Sequence, residues 1–161
     1  VGSEVIRQDH DAASVQTMKR PMPWHRDQFG AVCGAGLHDG VVTGLGIDHE
    51  TFSMHVKNAS DQFVELVLQG VSAWNMVELC NGTIIYDIYS WTLKQLSEGW
   101  DLTHIQAWKT LFAGRYGMQG AAEEARRLVS KQPDSRLVYM DSSYGGELAV
   151  ICRRIELFTS E

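Results

Sequence analysis

The chain has 161 residues, 44% of them hydrophobic and 21% charged, with a formal net charge of −6. That length fits one domain with a short appendage and a core that needs no staples, and the apolar fraction excludes wholesale disorder. An acidic balance argues against nucleic acid and anionic membranes as partners, and no window approaches 18 consecutive apolar residues.

Three cysteines, Cys33, Cys80 and Cys152, are too few and too scattered for a disulfide framework, so a reducing, cytoplasmic setting is expected. The acidic excess is concentrated in residues 61–100, where Lys94 alone faces Asp61, Glu65, Glu78, Asp87 and Glu98. The chain starts Val1-Gly2-Ser3, read as a trimmed beginning, and shows no apolar stretch of a signal peptide.

Residues 1–30 lack sustained periodicity and read as an irregular N-terminal arm, with Pro21 and Pro23 holding Lys19–Trp24 extended. A single domain is expected over 31–161. Period-two alternation begins near Val41 and recurs in Thr51–Asn58 and Gln62–Gln69. Asp48-His49-Glu50 and Asn58-Ala59-Ser60-Asp61 lie between these runs as turns, which together predict an antiparallel meander. Gly70 breaks the run, and Val71–Met76 reads as a further short strand. After the Asn81-Gly82 turn, Thr83–Leu93 carries bulk on both phases and reads as a central strand.

The period then changes. Leu102, Ile105, Trp108, Leu111 and Phe112 recur at helical spacing, with Asp101 or Thr103 as the cap and Gly114 and Gly117 as the stop. Met118–Lys131 reads as a second helix ended by Pro133. Arg136–Asp141 and Glu147–Phe158 read as a closing hairpin, with a bulge or a departure from the sheet near Arg153-Arg154. The fold class is therefore α+β: a mainly antiparallel sheet, meander plus C-terminal hairpin, with two helices inserted between the strands and packed on one face.

Catalytic motifs are not found. Gly34-Ala35-Gly36-Leu37-His38-Asp39-Gly40 has Asp39 where a dinucleotide loop needs its third glycine, and a strand follows where a helix should. Ser142-Ser143-Tyr144-Gly145-Gly146 lies between strands and lacks the nucleophile-elbow pattern. The sequons Asn58-Ala59-Ser60 and Asn81-Gly82-Thr83 read as turns. Histidines and carboxylates cluster at His38, Asp39, His49 and His55, the residue types a metal-dependent hydrolase would use. Asp87, in an apolar strand, is either exposed or buried beside Arg153 or Arg154. Five tryptophans are a high count, and aromatics beside acidic residues are what a protein-binding surface uses.

Three segments, Val64–Val71, Ile84–Ile88 and Ser142–Leu148, together resemble small bacterial domains of the polymorphic-toxin immunity-protein type. The resemblance covers about 20 residues and includes no catalytic motif. It implies an acidic cytoplasmic protein that neutralises a basic toxin domain by binding it. The first expectation is thus a non-enzymatic protein-binding domain without cofactor, contacting its partner through Asp61, Glu65, Trp74 and Glu78. The alternatives are a small metal-dependent hydrolase using the His38–His55 segment, and a small-ligand-binding or homodimeric domain.

Overall fold

The computed structural model describes residues 19–96, 102–115 and 118–160. In chain order the strands are β1 (Lys19–Pro21), β2 (His25–Arg26), β3 (Val32–Cys33), β4 (Val41–Asp48), β5 (Thr51–Lys57), β6 (Phe63–Gln69), β7 (Ala73–Val77) and β8 (Ile84–Thr92). Helices α1 (Leu93–Leu96), α2 (Leu102–Leu111) and α3 (Met118–Lys131) follow, then β9 (Arg136–Tyr144), β10 (Glu147–Cys152) and β11 (Arg154–Ser160). This is an α+β chain with a mostly antiparallel sheet. No helix among the described residues is long and apolar enough to cross a membrane.

Nine strands join in the order β1-β11-β6-β5-β4-β8-β9-β10-β7, and β2 and β3 form a separate ribbon. The order conceals a closure. Strand β10 pairs with β7 and its continuation β11 pairs with β6, while β6 and β7 are themselves separated only by residues 70–72. Two long strands therefore bend side by side, one at Gly70 and one at Arg153, and the ladder returns to its starting point. Gly70 has φ +64°, and a Cβ there would lie 2.9 Å from Arg153 Cγ, so the corner needs a residue without a side chain. The irregularity expected at Arg153-Arg154 is this change of partner.

Alternation along the strands sorts the core. Phe52, Met54 and Val56, Val64, Leu66 and Leu68, and Leu148, Val150 and Cys152 share one buried cluster inside the ladder. The opposite phase of β9 and β10, namely Leu137, Tyr139, Ala149 and Ile151, packs with Trp108, Leu111, Phe112, Ala125 and Leu128 of the helices. A strand buried on both phases reads as continuous bulk in sequence, as Leu148–Cys152 does.

Strand β8 stops at Thr92 because Thr92 and Gln95 form a reciprocal cap. The Gln95 N–H donates to Thr92 Oγ1 (3.3 Å), and the Thr92 N–H donates to Gln95 Oε1 (3.1 Å). That turn, α1, is a third helix beyond the two expected from periodicity. Helix α3 has the bounds that its Ala- and Glu-rich pattern predicts. Asp101, the Thr103 side chain, Gly117, Trp100 and residues 1–18 lie outside the described residues. Within the segment read as an irregular arm, β1 pairs with the end of β11 and Trp24 packs partly against the inner core. The Asn58 sequon serves as a turn: Asn58 Oδ1 accepts from the Ser60 and Gln62 N–H groups, and Nδ2 donates to Ala35 O.

Candidate functional site

The start of β8, the end of β9 and the turn into β10 gather aromatic and acidic side chains. A register shift between Ile85 and Asp87 makes Tyr86 an extra residue, a bulge that turns its ring outward, 48% exposed. His38, from the loop before β4, packs edge-on against that ring with centroids 5.3 Å apart. Its Nδ1 meets the Tyr86 carbonyl, which can only accept, so Nδ1 carries the proton. Asp39 Oδ2 and Asp87 Oδ1 each lie 3.7 Å from a His38 ring nitrogen. Tyr144, 75% exposed, pairs across the strands with Ile84.

Beside these rings, Asp87 and Asp141 stand directly opposite each other on β8 and β9. Tyr89 Oη donates to Asp87 Oδ2 (3.3 Å), and Asp141 Oδ1 accepts from the Ser142 N–H (2.9 Å). On β10, Glu147 accepts from Gln106 Nε2 (3.1 and 3.2 Å) and from the Thr110 hydroxyl, which ties α2 to the sheet. Burial, with Glu147 and Asp87 as like-charged neighbours, raises Asp141 above the usual carboxylate range against the pull of the Ser142 N–H. Burial and then Asp87 push Tyr89 up to about 12, and burial and then Glu147 raise Tyr139 further. The tyrosines therefore stay protonated donors at neutral pH, and the carboxylates supply the local charge.

Asp141 holds its proton more tightly folded than unfolded, so its contribution to stability falls as pH rises from about its ordinary 3.8 through the raised folded value. Asp141→Asn keeps the acceptor for Ser142 and removes the charge. It is expected to raise the melting temperature at pH 7 and to have no such effect below the ordinary carboxylate value. Melts at the two pH values read this out, and equal effects at both would contradict it.

The residues expected from sequence are dispersed. Asp61 sits in the β5–β6 turn with φ +61°, where Lys57 Nζ (2.8 Å) holds its carboxyl below the usual range. Glu65, expected as an exposed contact, is 5% exposed: it lies on the outward phase of β6 but is covered, with Lys19 Nζ 2.6 Å from Oε2. A carboxylate so buried depends on that lysine for compensation. Trp74 is half-buried on β7 against the inner core. Glu78 follows β7 with φ +54°, and a Cβ built at Gly146 would lie 2.3 Å from its carbonyl carbon, so of the four only Glu78 adjoins the Tyr144 turn.

The His38–His55 set also separates. His49 is 94% exposed in the β4–β5 turn, at the far end of that hairpin from His38 and Asp39, and His55 is on the outer phase of β5 over Gly44. Among the described residues no three His, Cys, Asp or Glu side chains are grouped to hold a metal. Asp87 is half-buried beside His38 and Asp141, with neither Arg153 nor Arg154 as its partner. Tyr86, Asp141, Tyr144 and Glu147 were not singled out by sequence as site residues. The available signal was the Tyr86-Asp87 pair, two polar-edged residues in succession inside a strand that is otherwise bulky on both phases.

No family model matches the chain, and no curated protein or solved structure matches it either.

Proposed function

We propose that this is a non-enzymatic protein-binding domain whose docking face is the end of β8, β9 and β10 bearing Tyr86 and Tyr144. The observation that carries the reading is two exposed tyrosines set among Asp39, Asp87, Asp141 and Glu78. Aromatic rings supply contact area at low entropy cost, and surrounding carboxylates steer and select a basic partner. A basic toxin domain, neutralised by occlusion in the reducing cytoplasm, is the partner that the immunity-type resemblance favours. The three cysteines, all free, accord with that compartment. In this reading the helices pack on one face of the sheet, around Leu137, Tyr139, Ala149 and Ile151, and leave the Tyr86–Tyr144 end open. Of the four contacts expected from sequence only Glu78 adjoins this face; Glu65 is covered beside Lys19, Trp74 packs against the inner core, and Asp61 sits in the β5–β6 turn.

The test is retention of a partner from the native cells by the intact protein and by the Tyr86→Ala, Tyr144→Ala double variant. One basic protein is expected, held by the parent, released by rising salt, and retained about tenfold less or worse by the variant. Retention of that protein equally by both forms, or no salt-sensitive partner at all, would count against the reading.

A further inference from the structure

At the opposite end of β8 from Tyr86, two guanidinium groups converge on one serine. Arg26 Nη1 donates to Ser90 O (3.1 Å) and to Gln95 Oε1 (3.1 Å), and Arg136 Nη1 donates to Ser90 Oγ (3.3 Å). Ser90 itself is fully buried. Among the described residues neither guanidinium has a carboxylate within ion-pair distance, in a chain whose net charge is −6. Arg136 is held below the usual guanidinium value, by burial first and then by the positive charge of Arg26. Like charges brought together and partly desolvated are unfavourable unless something negative joins them.

Beside Arg26 opens a 440 Å³ hollow, walled by Asp27, Gln28, Phe29, Gly30, Trp91 and Gln95. Phe29 is 68% exposed, a large apolar ring left at the rim of a polar cavity. Asp27 lines the same hollow, where its Oδ1 accepts from the Phe29 and Ala31 N–H groups (2.8 Å each) and shapes this loop.

We propose that Arg26 and Arg136 together bind the phosphate of a small phosphate monoester, whose organic part lies in the hollow against Phe29. Two cations match a dianion, which a monoester carries above its second pKa of about 6 and a diester or carboxylate does not. The forked guanidinium donors suit phosphate oxygens. The site is separate from the Tyr86–Tyr144 face and independent of what binds there.

The test is calorimetric titration of the full chain with inorganic phosphate and with phenyl phosphate, alongside Arg26→Gln and Arg136→Gln. Saturable binding is expected for both ligands, tighter for phenyl phosphate, and weakened about tenfold or more by either substitution, the loss that follows from removing a charge-assisted hydrogen bond. Thermal melts show that each variant is folded. Unliganded Arg136→Gln is expected to keep its melting temperature, because it also relieves the like-charge contact. No saturable binding, or unchanged affinity in both folded variants, would overturn the site. So would a rise in melting temperature on adding phosphate that sodium chloride at equal ionic strength reproduces. Equal affinity for the two ligands would overturn the role given to the hollow.

Discussion

Replacing Gly146 by alanine is expected to destabilise the protein by at least about 3 kcal/mol, at or beyond the upper end of the usual cost of overpacking. The methyl carbon would stand 1.9 Å from Val77 O, 2.2 Å from Leu79 N and 2.3 Å from Glu78 C. All three are backbone atoms, so no rotamer change clears the space. Either the β9–β10 turn or the end of β7 must move by more than 1 Å, and the first pair of the β7–β10 ladder, Glu147 with Val77, is the one that opens. Gly146 does not have a positive φ, so the penalty comes from contact and not from backbone conformation. Gly82 is the matching control. It has φ +93° with nothing within 4 Å of an added Cβ, so Gly82→Ala carries only the conformational cost of about 1–2 kcal/mol. Denaturant midpoints of the two variants separate the cases. A Gly146→Ala loss below that of Gly82→Ala would show that β7 does not close on this turn as described. Because the turn follows Tyr144 and adjoins Glu78, the same substitution is expected to weaken partner binding.

The elements legible in the sequence are those whose structure depends on local pattern. Alternation placed β5 and β6 and the turns beside them, because the inner phase of each is uniformly apolar and a one-residue slip would expose all of it, whereas in β4 a bulge between Val42 and Gly44 breaks the phase and leaves Ile47 exposed. Helix α3 was legible because its apolar stripe and the following Pro133 are both short-range signals. The change of partner at Arg153 showed as a charged residue on the buried phase of a strand. What escaped the sequence depends on contacts between distant residues. Glu65 looks exposed by alternation, and only Lys19, 46 positions away, shows that its carboxylate is covered. The sharing of Ser90 by Arg26 and Arg136 joins a short ribbon strand to the first residue of β9, which no spacing rule anticipates. The His38–His55 grouping failed for a geometric reason. Residues 41 and 57 pair at one end of the β4–β5 hairpin, and residues 48 and 51 pair at the other, so proximity in sequence became distance along a strand. The α1 cap was visible in principle as Thr92-Leu93-Lys94-Gln95, but the strong β pattern before it masked the signal.

Phe52 and Phe63 have the same side chain on adjacent strands, and they are expected to respond very differently to truncation. Phe52 is fully buried in the inner cluster, opposite Leu68 on β6 and Ile47 on β4. Its removal leaves a cavity walled by strands that cannot collapse inward, because the ladder is closed through the Gly70 and Arg153 corners. Phe52→Ala is therefore expected near the top of the range for such changes, about 4–5 kcal/mol, while Phe52→Leu, which keeps most of the volume, costs about 1–2 kcal/mol. A domain of this size has about 5–15 kcal/mol to lose, so the alanine variant approaches global unfolding. Phe63 is 51% exposed at the start of β6, paired with Lys57. Phe63→Ser removes an exposed apolar ring and is expected within about 0.5 kcal/mol of the parent. Urea denaturation with an unchanged slope would assign each difference to the native state. Similar losses at the two positions would mean that the ladder is not closed around Phe52, since an open sheet could relax over the cavity and reduce the cost.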